Sequence, residues 1–182
     1  NMAMAVGADI DYVLLQAEDE VVILAKDLVE THFPTDDDTE NTILAELKGS
    51  KLVGLSYEPF FPYFEKEREN KAFKLYAADY VSAEDGTGVV HLASFGEEDL
   101  NVFLAEGITV IDPVDEDGNF GPEVPDFEGQ NVKEADPKII AALKEKGLLV
   151  SHKTINHSYP FCYRTNTPLI NRSRTSWFVK VE

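Results

Sequence analysis

Cysteine is almost absent. The lone Cys162 among 182 residues excludes an internal disulfide, and without a Cys-x-x-Cys pair there is no zinc site of the usual spacing. A reducing, cytoplasmic setting suits such a chain. No apolar run approaches the ~18 residues of a membrane helix, and the start lacks the basic stretch of a secretion signal, so no membrane partner is expected. Positive charge is scarce too: 16 Lys and Arg stand against 34 Asp and Glu, a formal charge of −18. A surface that negative repels phosphate backbones unless the charge is unevenly placed. It is uneven. Residues 151–182 carry Lys153, Arg164, Arg172, Arg174 and Lys180 against Glu182 alone, a sum of +4 that leaves −22 for residues 1–150. Any polyanion is therefore expected at the C-terminal fifth.

What is present fits one folded domain over residues 1–182. With 43% hydrophobic and 10% aromatic residues the chain can bury a core, which excludes a disordered or collagen-like polymer. Neither end reads like a natural terminus, so the chain is expected to be a piece cut from a larger protein. Strand-like runs recur at Met2 to Val6, Asp11 to Gln16, Ile43 to Lys48, Lys51 to Tyr57, Ala72 to Val81, Val89 to Ala93, Ile108 to Ile111, Leu148 to Ile155 and Ser176 to Val181. Gly49-Ser50 reads as a hairpin turn. Helical periodicity is confined to Val22 to His32, Glu97 to Ala105 and Ala135 to Lys146, the last opened by Asp136-Pro137 and closed by Gly147. Many short strands with few helices predict a mainly β fold of the α+β class, with a barrel-like sheet and peripheral helices.

Several clusters invite a chemical reading. Asp115, Asp117 and Gly118 resemble part of a calcium loop, but Val124 stands where the closing bidentate Glu belongs, which favours a solvated turn. Gly86-Thr87-Gly88 precedes the strand with His91; a dinucleotide fingerprint would need glycine at 91, so an ordinary turn is favoured over a ligand loop. His91 reads either as a satisfied core histidine or as half of a functional pair with Asp99. That strand runs through Ser94-Phe95-Gly96 into a helix whose first turn carries Glu97, Glu98 and Asp99, so both side chains can border one pocket. A carboxylate there could hold a substrate ammonium while a histidine orients water. His157, Tyr159, Cys162, Tyr163 and Arg164 form a second cluster, in which a buried thiol beside aromatics is favoured over a Cys–His nucleophile. No metal site is expected.

Taken together, the string Gly86-Thr-Gly-Val-Val-His-Leu-Ala-Ser-Phe-Gly-Glu-Glu-Asp99, with His157-Ser-Tyr-Pro-Phe-Cys-Tyr-Arg164, Thr167-Pro-Leu-Ile170, Ser176-Trp-Phe-Val179 and the opening Asn1-Met-Ala-Met-Ala-Val6, resembles the editing (CP1) insertion of the isoleucyl-tRNA synthetase family. The blocks lie in family order along nearly the whole chain. A histidine after the turn distinguishes the isoleucyl branch from the sister valyl and leucyl enzymes. Tyr163 stands where the family usually has tryptophan and Ser94 where proline is usual.

The resemblance implies post-transfer editing, hydrolysis of the ester joining a wrong amino acid, here valine, to the 3′ CCA end of isoleucine tRNA. The alternatives are a non-catalytic acceptor-end binding module and the editing domain of a sister enzyme. Residue by residue it implies that Asp99, with Glu98 as the alternative acid, holds the ammonium and that His91 helps fix the aminoacyl end. Gly86, Thr87, Gly88, Ser94 and Phe95 would line the substrate site. Arg164, Arg172 and Arg174 would contact tRNA phosphates, a structural salt bridge being the equal alternative for each. No cofactor is implied for editing, ATP and magnesium belonging to the parent enzyme's synthetic domain. The partners implied are the tRNA and the remaining synthetase domains, on a monomer. A threonine-rich peptide of the family's pocket would lie just before Asn1, and neither the His-Ile-Gly-His nor the Lys-Met-Ser-Lys-Ser signature occurs, so aminoacylation is not expected.

Overall fold

The computed structural model describes residues 2–35, 41–154, 157–174, 176–177 and 179. They cluster into two compact units. The first comprises Asn1–Pro59, Lys66–Ala93 and Asn101–Thr109, and the second Phe60–Glu65, Ser94–Leu100 and Val110–Glu182.

The first unit holds two three-stranded sheets. β1 (Ala3–Val6) lies between β5 (Leu75–Ala77), which runs parallel to it, and β6 (Val89–Leu92), which runs antiparallel. β2 (Asp11–Ala17) lies between β3 (Glu20–Ala25) and β4 (Thr42–Lys48), both antiparallel. Tyr12, Val13 and Leu15 of β2 are all buried, so this central strand is covered on both faces and reads as a continuous apolar run. They join Val6, Leu24, Ala25, Leu28, Val29 and Leu52 in one core, against which Leu75 and Val89 pack. Among the described residues both sheets are open, and the expected barrel closure is not found; the arrangement is small sheets with helices.

Several expectations are corrected. Val22 to His32 is not one helix: Glu20–Ala25 is strand β3, followed by a 3-10 turn and the short α1 (Val29–His32). The β-branched residues Val21, Val22 and Ile23 fit the pleated sheet better than a helix. A two-residue turn with Glu18 at φ 51° joins β2 to β3, and the Gln16 amide ties it by donating to the carbonyls of Glu18 and Glu20.

Gly49-Ser50 is not a hairpin turn either, but part of the 3-10 turn Gly49–Lys51. A Cβ on Gly49 would meet the Gly7 carbonyl oxygen and the Tyr12 ring, so this glycine permits close approach of backbones. The run Lys51 to Tyr57 forms only an isolated bridge, Ser56 to Lys74, and Ala72 to Val81 contracts to β5. Residues 108–111 and 148–154 form no strand. Ile155, Phe178, Lys180 and Val181 of the remaining expected strands lie outside the described residues.

α2 (Glu97–Glu106) lies where the periodicity placed it. In the second unit α3 (Val132–Glu145) starts three residues earlier than expected, capped by the Asn131 side chain, which accepts from the Lys133 N–H at 3.1 Å. Pro137 therefore sits inside the helix rather than at its first turn. Gly147 at φ 68° closes it: the Gly147 and Leu148 N–H groups donate to the Lys144 and Leu143 carbonyls, the paired bonds of a Schellman ending. Val124, Phe127 and Ala135 form this unit's own small core, covered by Phe61, Tyr63, Phe64, Phe120 and Ile139.

Candidate functional site

The turn Gly86-Thr87-Gly88 is held from below by the buried Tyr12 of β2. Its phenol donates to the Gly88 carbonyl at 2.5 Å and accepts from the Gly7 N–H at 3.0 Å. Burial pushes the Tyr12 phenol above its ordinary pKa, which keeps it a neutral donor. The Ala25 N–H donates to the Thr87 carbonyl at 2.8 Å, and the His32 ring meets the Gly86 carbonyl. Gly88, at φ 74°, leaves no room for a side chain, since a Cβ would lie 2.6 Å from the Ala25 methyl. Thr87 is exposed, and its hydroxyl contacts Val89 backbone atoms at 3.3 and 3.4 Å. Structurally this is a rigidly anchored turn.

His91 is the third residue of β6, opposite Met4. The reading of it as a core histidine is corrected, because the residue is exposed while Leu92 beside it is fully buried. Surrounding protein still displaces enough water to hold its pKa below the ordinary 6.5, so the ring is predominantly neutral and competent as a hydrogen-bond donor and acceptor near pH 7.

Gly86, Thr87, Gly88 and His91 belong to the first unit; Ser94, Phe95, Glu98 and Asp99 belong to the second. Ser94 is buried, and its carbonyl accepts from the Ser173 hydroxyl. Phe95 is half-buried. The Leu100 N–H donates to the Gly96 carbonyl at 2.9 Å, which starts α2. Of the three acids in its first turn, Glu97 and Glu98 are exposed whereas Asp99 is half-buried.

The three arginines differ. Arg172 is largely enclosed: its guanidinium reaches Asp112 Oδ2 through Nε at 2.8 Å and Nη2 at 2.7 Å, and donates to the carbonyls of Val114 and Asp115. Arg174 pairs with Glu116 at 3.0 Å in full view of solvent. Both therefore hold an acidic partner within the second unit. Arg164 is exposed; its guanidinium lies 5.2 Å from the Tyr163 ring centre and its Nε donates to the Tyr163 hydroxyl at 2.7 Å.

The acidic loop is an ordinary turn. Asp115 Oδ1 accepts from the N–H groups of Asn119 at 2.8 Å and Asp117 at 2.9 Å, and these bonds hold its carboxyl below the usual range. Among the described residues no three His, Cys, Asp or Glu side chains are grouped as a metal site requires. Cys162 is half-buried, and its pKa is lowered by hydrogen bonds from Thr165, side chain and backbone, and from the Arg164 N–H. No histidine takes part in that shift.

Sequence reasoning missed Tyr12 and the Asp112–Arg172 pair. A tyrosine in an apolar strand was the available signal, since a buried phenol must find a partner; nothing in the spacing of Asp112 and Arg172 announces theirs.

No protein-family model matches the chain. Over its whole length it is 51% identical to the isoleucine–tRNA ligase of Bdellovibrio bacteriovorus and 43% identical to the cytoplasmic isoleucine–tRNA ligase of Saccharomyces cerevisiae. The backbone is similar to the CP1 domain of a leucyl enzyme (GlLeuRS-CP1), with a TM-score of 0.61 over 86% of this chain and 78% of that one, at 14% identity. The chain belongs with the isoleucine–tRNA ligases, one segment of which it matches from end to end. The chain spans 17% and 18% of the lengths of the two ligases. At 14% identity the leucyl likeness speaks for the fold alone, whereas the end-to-end identity with isoleucine–tRNA ligases singles out the branch. No helix among the described residues is long and apolar enough to cross a membrane.

Proposed function

We propose that this CP1 segment acts in post-transfer editing, hydrolysing the ester that joins valine to the 3′ adenosine of isoleucine tRNA. The observation that carries the reading is the 51% identity with an isoleucine–tRNA ligase across the entire chain. The chemical need is plain: a pocket built for isoleucine rejects valine by only ~1–3 kcal/mol for the missing methylene, this amino acid pair being the standard illustration of the limit. A second site that admits valine and excludes isoleucine supplies the rest.

Asp99 is assigned the α-ammonium of valine, its half-buried setting favouring it over the exposed Glu98. His91, neutral through its lowered pKa, is assigned to the aminoacyl end, where it hydrogen-bonds without adding charge. Thr87 and the flanking glycines contribute the anchored turn, and Ser94 and Phe95 line the approach to α2. Water adds to the ester carbonyl, the carbon–oxygen bond to the ribose breaks, and the 3′ oxygen leaves with a proton. An aminoacyl ester is labile, so positioning and oxyanion stabilisation suffice without a covalent nucleophile. The partners are the CCA end of the tRNA and the other domains of a cytoplasmic, monomeric synthetase, whose synthetic site uses ATP and magnesium; editing uses neither.

Deacylation tests the reading. A full-length synthetase carrying this segment is expected to release valine from Val-tRNA(Ile), to spare Ile-tRNA(Ile), and to lose release with Asp99→Ala. Equal rates on both substrates, or a fully active alanine variant, would overturn it.

A further inference from the structure

Two stretches of the chain read Glu-Asp-Gly, at Glu84-Asp85-Gly86 and at Glu116-Asp117-Gly118. An aspartate followed by glycine is open to attack on its own carboxyl by the next backbone nitrogen, because glycine has no side chain to shield that nitrogen or restrict its approach. By composition the two stretches are alike. The fold separates them.

At the first, Asp85 and Gly86 are both exposed. The Gly86 N–H donates to Asp85 Oδ1 at 3.2 Å, which holds the nitrogen beside the carboxyl it would attack. Gly86 takes φ 66°, and nothing lies within 4 Å of where a Cβ would stand, so the peptide can turn there without meeting a neighbour. At the second, Gly118 is buried. Its N–H donates to the Asp115 carbonyl at 3.2 Å, and the Asp117 carbonyl, on the same planar peptide group, accepts from the Asn131 amide at 3.5 Å. The Gly118 carbonyl is fixed as well, accepting from the Val132 N–H at 3.0 Å. That nitrogen cannot swing toward its carboxyl without breaking these bonds.

We propose that Asp85-Gly86 is a site of spontaneous aspartate isomerisation that remodels the glycine turn as the protein ages. The Gly86 nitrogen bonds to Asp85 Cγ and gives up its proton, the carboxyl gives up its hydroxyl, and one water leaves behind a five-membered succinimide. Water then returns to one of the two ring carbonyls. Addition at Cγ breaks the new bond and restores aspartate, whereas addition at the main-chain carbonyl breaks the original peptide bond and leaves isoaspartate, with the backbone running through Cβ and Cγ. Mass is unchanged, and no electrons are exchanged.

The product lengthens the backbone by one methylene immediately ahead of three fixed points. These are the His32 contact to the Gly86 carbonyl at 2.5 Å, the Ala25 N–H bond to the Thr87 carbonyl at 2.8 Å and the Tyr12 bond to the Gly88 carbonyl at 2.5 Å. Tyr12 and Ala25 are buried but His32 is exposed, so the nearest and least enclosed anchor yields first and the displacement falls on Gly86 and Thr87. A loss of editing through Thr87 rests on the proposed function; the isomerisation does not.

The test is to age the folded chain in warm, near-neutral buffer and to map isoaspartate by methyl labelling with an isoaspartyl methyltransferase and by fragmentation mass spectrometry. Isoaspartate forms at Asp85 at least about tenfold faster than at Asp117, and the two rates fall within about twofold of each other once urea has unfolded the chain. In the aged chain hydrogen exchange rises at Ala25, whose N–H loses the Thr87 carbonyl, and stays unchanged at Gly7, whose partner Tyr12 has not moved. Asp85→Glu, which cannot close the five-membered ring, keeps Ala25 protected. Equal rates at the two aspartates of the folded chain, or a tenfold preference that survives unfolding, overturns the site; unchanged exchange at Ala25 in the converted chain overturns the remodelling. In a full-length synthetase carrying this segment, deacylation of Val-tRNA(Ile) falls in step with isoaspartate at Asp85 and holds in Asp85→Glu. A fresh enzyme that releases no valine sinks editing alone, because the two isomerisation rates are read without it.

Discussion

Tyr12 and Gly88 are joined by a 2.5 Å hydrogen bond across 76 positions of sequence, which ties the turn before β6 to the central strand of the other sheet in its unit. The same oxygen receives the Gly7 N–H, so one phenol orders two turns. Tyr12→Phe removes both bonds and leaves two buried backbone groups without this partner. The expected loss is about 1–3 kcal/mol in urea unfolding, with hydrogen exchange rising at Gly7 and through 86–88.

The two glycines of that turn should differ. Gly88→Ala sets a methyl against Ala25 at a positive φ, and is expected to cost about 2–4 kcal/mol. Gly86→Ala meets open space, so only the positive φ counts against it, about 1 kcal/mol. Equal costs in denaturant titrations would contradict the close approach at Gly88.

Arg172 and Arg174 separate an enclosed ion pair from an exposed one. The Arg172 and Asp112 side chains retain 17% and 14% of their exposure, so truncating either strands a charge away from water; Arg172→Met is expected to destabilise by about 2–4 kcal/mol. Arg174 and Glu116 are exposed, and Arg174→Ala should stay within about 0.5 kcal/mol in thermal unfolding. If the two substitutions prove equal, the enclosure of Arg172 is wrong.

His91 gives the chain a pH dependence of defined sign. Its folded pKa is depressed, so in acid the unfolded chain takes up a proton more readily than the folded one. The contribution is complete above the unfolded value of about 6.5 and is lost as pH falls from there to the folded value. His91→Gln should flatten stability against pH in that window. The Asp115 carboxyl, lowered by its loop N–H groups, acts at more acid pH: its contribution is present above its unfolded value and disappears as pH falls through the folded one.

In deacylation of Val-tRNA(Ile), the neighbouring acids of α2 are expected to diverge. Asp99→Asn should reduce release by at least about a hundredfold, the scale of losing a charged contact to the reacting group. Glu98→Gln should stay within about threefold of the parent. The opposite order would move the proposed ammonium contact by one residue.

Helices α2 and α3 were legible because local signals agree there: acids in a first turn, apolar spacing, and Gly147 as a stop. α3 began early because its cap, Asn131, carries no apolar periodicity with it. The reading of Val22 to His32 as a helix failed because Val-Val-Ile-Leu is compatible with either state until β2 offers it a ladder. The exposed state of His91 was equally illegible, since alternation assigns a face but does not say what covers it.

The order of motifs along the chain determined the family, because family-specific chemistry is written in local strings such as Gly86 to Asp99 that require no knowledge of packing. The same holds for charge: +4 at the C-terminal end and −22 elsewhere follow from counting. Only tertiary structure decided that Tyr12 would hold the glycine turn, that Arg172 would pair with Asp112, and that Phe161 and Tyr163 would stand exposed. Those outcomes depend on which distant groups exclude water from one another, a property of the packed chain and not of any stretch of it.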